Sequence, residues 1–147
     1  EIIFDQGLGD LFVVRTAGHV VDSSVLGSME FGVGVLGIPL IVVLGHDSCG
    51  AVNAAVDAVT SGDMPAGFIR DIVERVTPSV LAASKHGDAG IDEIEAEHVR
   101  QTARLIAERS HLIADHLAAG RLGIIGATYR LRDGEALVVS SLGLHED

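Results

Sequence analysis

The sequence predicts an α/β fold, in which a mostly parallel β-sheet is flanked by helices and a C-terminal strand runs antiparallel. Two observations favour this fold. Apolar residues make up 48% of the chain and aromatic residues only 3%, so the core has to be built from Val, Leu, Ile and Ala. Short apolar runs rich in branched residues also alternate with helical stretches, as in sheets covered by helices. At 147 residues, the chain is predicted to form a single domain over residues 1–147.

Two apolar runs bounded by turn residues predict the first two strands, at residues 11–15 and 40–45. Between them, Asp22 is placed to cap a helix that extends to about Leu36, and Gly37 ends that helix. A helix between two strands predicts that the strands are parallel neighbours or near neighbours, joined by a right-handed crossover.

Helices are predicted to fill the middle of the chain. The alanine-rich residues 51–59 predict one helix, and residues 63–92 contain a further helical patch and a polar loop at 85–90, which we expect to be flexible. Residues 93–119 predict one long helix, because their apolar positions recur at alternating spacings of four and three. These positions are Val99, Ala103, Ile106, Ile113 and Leu117.

The C-terminal part predicts a β-hairpin. Residues 122–129 form an apolar run, residues 136–140 form another, and a turn signal at Asp133 and Gly134 separates them. The first run is therefore predicted to be a core strand and the second its antiparallel partner.

Charge and cysteine content limit the classes of ligand. The formal net charge is −11, which argues against binding to nucleic acid or to anionic membranes and favours a small-molecule ligand. The single cysteine cannot form an internal disulfide, the first residues lack a signal-peptide pattern, and no apolar run is long enough to span a bilayer. A cytoplasmic protein is therefore expected.

A histidine and the only cysteine follow the strand at residues 40–45, three positions apart, as His46 and Cys49. This is a spacing typical of metal ligands, and an imidazole together with a thiolate suits Zn²⁺. The loop also lies where α/β folds place their sites, beyond the carboxyl end of a strand. A catalytic zinc ion usually takes three protein ligands and one water, so one ligand remains to be found.

Other interpretations of the cysteine stay open. Cys49 could be a small core residue, or a nucleophile for acyl or sulfur transfer or hydrolysis that is activated by His46 and the start of a helix. A noncatalytic module for dimerisation or metabolite binding is a further alternative.

The remaining polar residues are given smaller roles. His19 could line the same crevice as His46, because it follows the end of the first predicted strand. The other histidines are expected to be solvated, and the acidic residues near residue 93 are expected to favour the helix start by their charge, without a catalytic role. The histidines are His86, His98, His111, His116 and His145, and the acidic residues are Asp92, Glu93, Glu95 and Glu97.

Three segments together resemble the β-class carbonic anhydrases, especially the mycobacterial and actinobacterial type. Residues 9–18 resemble a strand and an Arg-Asn-x-Ala-Asn turn of that family, although His19 stands where the family often has Asn. Residues 42–51 resemble the family's zinc loop, and residues 126–134 resemble its last hairpin. The resemblance implies a zinc-dependent enzyme that reversibly hydrates carbon dioxide to bicarbonate and a proton, as a homodimer or homotetramer.

The resemblance also implies roles for individual residues. His46 and Cys49 would be zinc ligands, Gly50 would offer its backbone N–H to the bound anion, and Phe31 would help to hold carbon dioxide across a subunit interface.

One departure from the family concerns the third ligand. Family members carry, before the equivalent of Glu1, a strand that ends in Cys-x-Asp-x-Arg and supplies the second zinc thiolate and an Asp-Arg pair beside the zinc water. Residues 1–147 begin after that motif, so we expect an N-terminally truncated domain in which no residue is assigned as catalytic. Because that strand lies in the middle of the family's sheet, its neighbours are expected to be left unpaired. Weak zinc binding and little or no turnover are therefore expected of these residues alone.

Overall fold

The computed structural model describes residues 1–87 and 89–144, except for the side chain of His86. Asp88, in the loop predicted to be flexible, and residues 145–147, which include His145, lie outside this part. The helices and strands follow in the order α1 (Ser23–Gly34), β1 (Leu40–His46), α2 (Gly50–Thr60), α3 (Ile69–Ala83), α4 (Ile91–Arg109), α5 (His111–Ala118), β2 (Gly123–Arg130) and β3 (Glu135–Leu142). Short 3₁₀ turns lie at Ile2–Phe4, Ala17–His19 and Ser84–His86.

The described residues form one three-stranded sheet with the order β1-β2-β3. β1 and β2 are parallel, and their register pairs Leu40 with Gly123 and His46 with Tyr129. β3 returns antiparallel to β2 after a turn in which Gly134 has a φ of +68°, a value that glycine adopts easily. The predicted α/β class, with a parallel pair and a C-terminal antiparallel strand, is confirmed.

The predicted strand at residues 11–15 is wrong, because this run forms no strand. Within the described residues β1 pairs with β2 alone, and the run lines a pocket of about 110 Å³ together with the start of β1. A strand needs a neighbour that accepts and donates its backbone hydrogen bonds, and this run has none in the part of the chain that the structure describes. Its four apolar side chains, Leu11 to Val14, are 36–49% exposed. The predicted crossover to β1 is wrong for the same reason.

The predicted long helix over residues 93–119 is two helices, α4 and α5, which are separated at Ser110 by a φ of −106° and a ψ of 110°. Ser110 Oγ accepts the Ile113 amide at 3.2 Å, which caps α5, and it donates to Glu30 Oε1 at 2.6 Å. The apolar stripe nevertheless continues across the break, because Ile106 and Ile113 are both fully buried. Periodicity alone therefore did not reveal the break.

The other predicted elements agree with the structure. Asp22 caps α1 by accepting the Val25 amide at 2.9 Å, and α2 ends before Ser61, as its residues predicted. One apolar cluster lies between the sheet and the helices α1, α4 and α5, and a second joins α2, α3 and α4. α4 contributes to both clusters and also contacts β1 and β2. Among the described residues, no helix is long and apolar enough to cross a membrane.

Candidate metal centre

The loop that joins β1 to α2 carries both predicted metal ligands. His46 is the last residue of β1 and is exposed, whereas Cys49 is the N-cap of α2 and only 5% exposed. Between them Ser48 has a φ of +57°, in the left-handed region. Because this turn leads from strand to helix within a few residues, both candidate donors lie at the carboxyl end of β1.

The imidazole of His46 has a defined tautomer. Its Nδ1 lies 2.8 Å from the carbonyl oxygen of Asp47. A carbonyl oxygen can only accept a hydrogen bond, so Nδ1 carries the proton and the neutral ring keeps a free lone pair on Nε2. Metal-binding histidines are commonly oriented by such a contact, and Nε2 of His46 is therefore a suitable ligand.

Asp47 fixes this loop to the C-terminal hairpin. Its amide donates to the carbonyl oxygen of Tyr129 at 3.1 Å, and its Oδ1 accepts the Leu131 amide at 3.2 Å. Asp47, whose carbonyl group orients the His46 ring, is thus held by two hydrogen bonds, one to β2 and one to the residue that follows β2.

Cys49 lies at the start of α2, where the first amides have no intrahelical acceptor. Its side chain packs into the second apolar cluster, and this burial argues against the alternative of a freely reacting nucleophile. His46 and Cys49 fit zinc by the type of their donor atoms. The described residues contain no group of three His, Cys, Asp or Glu side chains that could hold a metal ion. The two candidate donors in this part of the chain are thus one fewer than the three protein ligands that a catalytic zinc site usually takes.

The two predicted substrate-binding residues lie at different places. Gly50 is the first residue of α2, where the amides have no intrahelical acceptor. Apart from its chain neighbours and the backbone of its own helix, no described atom lies within 4 Å of the position that a Cβ would occupy there. Phe31 is 49% exposed on α1, with its ring centroid 6.4 Å from that of Phe12. Phe12 lines the pocket at the start of β1, opposite the end that carries His46. Within one chain, Phe31 therefore does not join the loop of His46.

Glu95 of α4, which was predicted only to favour the start of the helix by its charge, is buried, at 3% exposure. Its Oε1 accepts the backbone amide of His46 at 3.2 Å, and its Oε2 is buried with no partner among the described residues. Gly45 permits this approach, because a Cβ there would overlap Glu95 Oε1 and lie 2.6 Å from Val99 Cγ2. Glu95 is thus a buried acidic residue in direct contact with a candidate metal ligand.

His98 is also buried, at 4% exposure, and the prediction that it is solvated is wrong. Its ring stacks on that of His19, with centroids 4.3 Å apart. Its Nε2 donates to the Gly18 carbonyl at 2.8 Å, and its Nδ1 lies 2.9 Å from Ser79 Oγ. Burial, and then the neighbouring His19, lowers the pKa of His98 to about 4, so this imidazole is neutral at pH 7.

His19 reaches the same end of β1 as His46, in agreement with its predicted location. Its Nδ1 lies 3.1 Å from Thr102 Oγ1, and its Nε2 lies 3.7 Å from Glu95 Oε1. Of the other histidines, His111 is exposed as predicted and His116 is half-buried. The side chain of His86 and all of His145 lie outside the described residues.

Comparison with known proteins agrees with the resemblance seen in the sequence. Residues 1–136 match a family model described as carbonic anhydrase. The chain is 57% identical to carbonic anhydrase 2 of Mycobacterium tuberculosis and 59% identical to a carbonic anhydrase of Mycolicibacterium smegmatis. Each of these alignments covers 97% of this chain and 69% of the relative.

Solved structures lead to the same family. The β-carbonic anhydrase CcaA superposes with a TM-score of 0.78 at 26% identity, over 93% of this chain and 71% of that one. A Coccomyxa β-carbonic anhydrase in complex with acetazolamide shares the fold, with a TM-score of 0.81 at 24% identity over 97% of this chain and 67% of that one. The chain therefore belongs to the β-carbonic anhydrase family, whose enzymes are lyases that hydrate carbon dioxide.

Proposed function

We propose that this chain forms the larger part of a zinc-dependent carbonic anhydrase, which reversibly hydrates carbon dioxide to bicarbonate and a proton, and that His46 and Cys49 are two of its zinc ligands. The observation that carries the proposal is the tautomer of His46, whose Nε2 is left free by the contact between Nδ1 and the Asp47 carbonyl. When bound, zinc supplies a nucleophile at neutral pH by lowering the pKa of its water from about 15.7 to about 7.

A third ligand is expected from a strand that pairs with the free edge of β1. Three observations support this proposal: the described residues leave that edge unpaired, a pocket separates it from residues 11–15, and apolar side chains from both sides line the pocket. In the family, a strand that ends in Cys-x-Asp-x-Arg occupies the middle of the sheet. The carboxyl ends of parallel strands meet at one edge of a sheet, so the cysteine of such a strand would end near His46.

The chain's own residues then bind and orient the reactants. His46 and Cys49 would hold the metal, and the Gly50 amide donates to an oxygen of bound bicarbonate. Phe31, from a neighbouring subunit, contributes apolar surface for carbon dioxide. A homodimer or homotetramer would supply that neighbour, and one structural relative, from Sordaria macrospora, is described as tetrameric. The single cysteine, which cannot form an internal disulfide, favours a cytoplasmic location.

Zinc content and activity of two forms of the protein test this function. The first form is residues 1–147, and the second, the extended form, adds an N-terminal strand of the family pattern ending in Cys-x-Asp-x-Arg. We expect the extended form to bind about one zinc ion per chain and to hydrate carbon dioxide, since a catalytic site takes three protein ligands. Residues 1–147 are expected to bind zinc weakly and to show little or no hydration.

Three outcomes would count against the proposal. Full activity of residues 1–147 would remove the need for a third ligand, and absence of zinc from both well-folded forms would favour a noncatalytic module. Alkylation of Cys49 tests the nucleophile alternative: a thiolate held by zinc is protected, whereas equal reactivity with and without zinc would favour a free nucleophile.

A further inference from the structure

We propose that Glu95 is the positioning residue for His46: its buried carboxylate accepts the His46 amide and so fixes the direction in which β1 presents the imidazole. The zinc-binding part of this inference rests on the proposed function, whereas the contact itself does not. The hydrogen bond measures 3.2 Å and joins residues that are 49 positions apart in the sequence.

A buried carboxylate is costly, because it loses its hydration and recovers only what its partners provide. Among the described residues, the His46 amide is the only group that donates a hydrogen bond to Glu95. The nearest cation-forming atom is His19 Nε2, at 3.7 Å from Oε1. An apolar side chain would fill the same space at less cost, so packing alone does not account for a glutamate at this position.

The surroundings of Glu95 hold the carboxylate in place. Gly45 leaves the space that Oε1 occupies, because any Cβ there would overlap it. On the other side, His19 is bound to Thr102 Oγ1 and stacked on His98. His98 is in turn bonded to the Gly18 carbonyl. Since Glu95, His98 and Thr102 all belong to α4, this helix carries both the carboxylate and the groups that limit its movement.

Two hydrogen bonds thus determine the orientation of His46. Glu95 holds its backbone amide, and the Asp47 carbonyl holds its Nδ1. With the backbone and the ring both fixed, Nε2 points in one direction before any metal binds. Such contacts outside the ligand set typically change metal affinity by about 10–100-fold when they are lost.

The test compares the variants Glu95→Asp and Glu95→Gln in two measurements. Aspartate is one methylene shorter and withdraws the oxygen from the His46 amide, whereas glutamine keeps an acceptor oxygen at the same reach. Glu108→Asp and Glu108→Gln are matched controls, because Glu108 is exposed on the same helix. Amide hydrogen exchange of His46 is measured in residues 1–147, and Zn²⁺ affinity is measured in the extended form.

We expect Glu95→Asp to accelerate exchange of the His46 amide at least about tenfold and to weaken Zn²⁺ binding by about 10–100-fold. Glu95→Gln should keep the exchange rate and the Zn²⁺ affinity within a few-fold of the parent protein. The Glu108 variants should match the parent in both measurements. Unchanged Zn²⁺ affinity in folded Glu95→Asp would overturn the inference, as would a His46 amide that exchanges freely in the parent. If the parent extended form binds no Zn²⁺, the proposed function fails while the exchange measurement still tests the contact.

Discussion

Replacing Cys49 with serine in the extended form is expected to abolish stoichiometric zinc binding and to reduce carbon dioxide hydration by roughly 1000-fold or more. A hydroxyl is a much poorer zinc ligand than a thiolate, and loss of a direct ligand should exceed the roughly 10–100-fold effect of an outer contact. Metal analysis after gel filtration and a stopped-flow hydration assay measure the two effects.

The folding of Cys49→Ser in the absence of metal is the control for this experiment. Serine is close in size to cysteine and is a favoured N-cap residue, so the free energy of unfolding should change by no more than about 1–2 kcal/mol. A well-folded variant with full zinc content and activity would show that zinc is held elsewhere.

His98 is expected to make the protein less stable as the pH falls from about 6.5 to about 4. Its folded pKa of about 4 lies below the ordinary value of 6.5, because burial and His19 disfavour the charged ring. Above pH 6.5 the ring is neutral in both states, and its contribution to stability is fully present. Between the two values the unfolded chain binds a proton that the folded chain does not, so the free energy of unfolding falls. The complete loss, reached below pH 4, is about 3 kcal/mol.

Urea unfolding at pH 7 and pH 4.5 measures this effect. From His98 alone we expect a decrease of about 2 kcal/mol in the free energy of unfolding between these pH values. In His98→Gln the difference between the two pH values should shrink by that amount, whatever the variant's stability at pH 7. His111→Gln is the matched control, because His111 is exposed at the start of α5. An identical pH difference in His98→Gln and in the parent would contradict the burial of a neutral imidazole.

The features that sequence predicted well depend on neighbouring residues. Asp22 caps α1 through an amide three positions away, and the branched run of β1 continues into the turn that carries His46 and Cys49. The strand predicted at residues 11–15 depends on a distant partner, and no local pattern tells whether that partner is present. The break at Ser110 was hidden because the apolar stripe continues through it.

The buried polar residues were missed for a related reason. Glu95 lies four positions before Val99, in register with the apolar stripe of α4, so the spacing did contain a signal. Charged residues are nevertheless expected at the surface unless they are paired, and the partners here are far away in sequence. His98 bonds to Gly18 across 80 positions, and Glu95 bonds to His46 across 49.

X-ray absorption at the zinc edge of the extended form tests whether His46 and Cys49 are zinc ligands. We expect two sulfur ligands at about 2.3 Å and one imidazole nitrogen at about 2.0–2.1 Å around the zinc of the parent protein. This shell should be absent from Cys49→Ser and from His46→Gln, because each variant lacks a direct ligand. A zinc shell that keeps both sulfurs and the imidazole in these two variants would contradict this assignment.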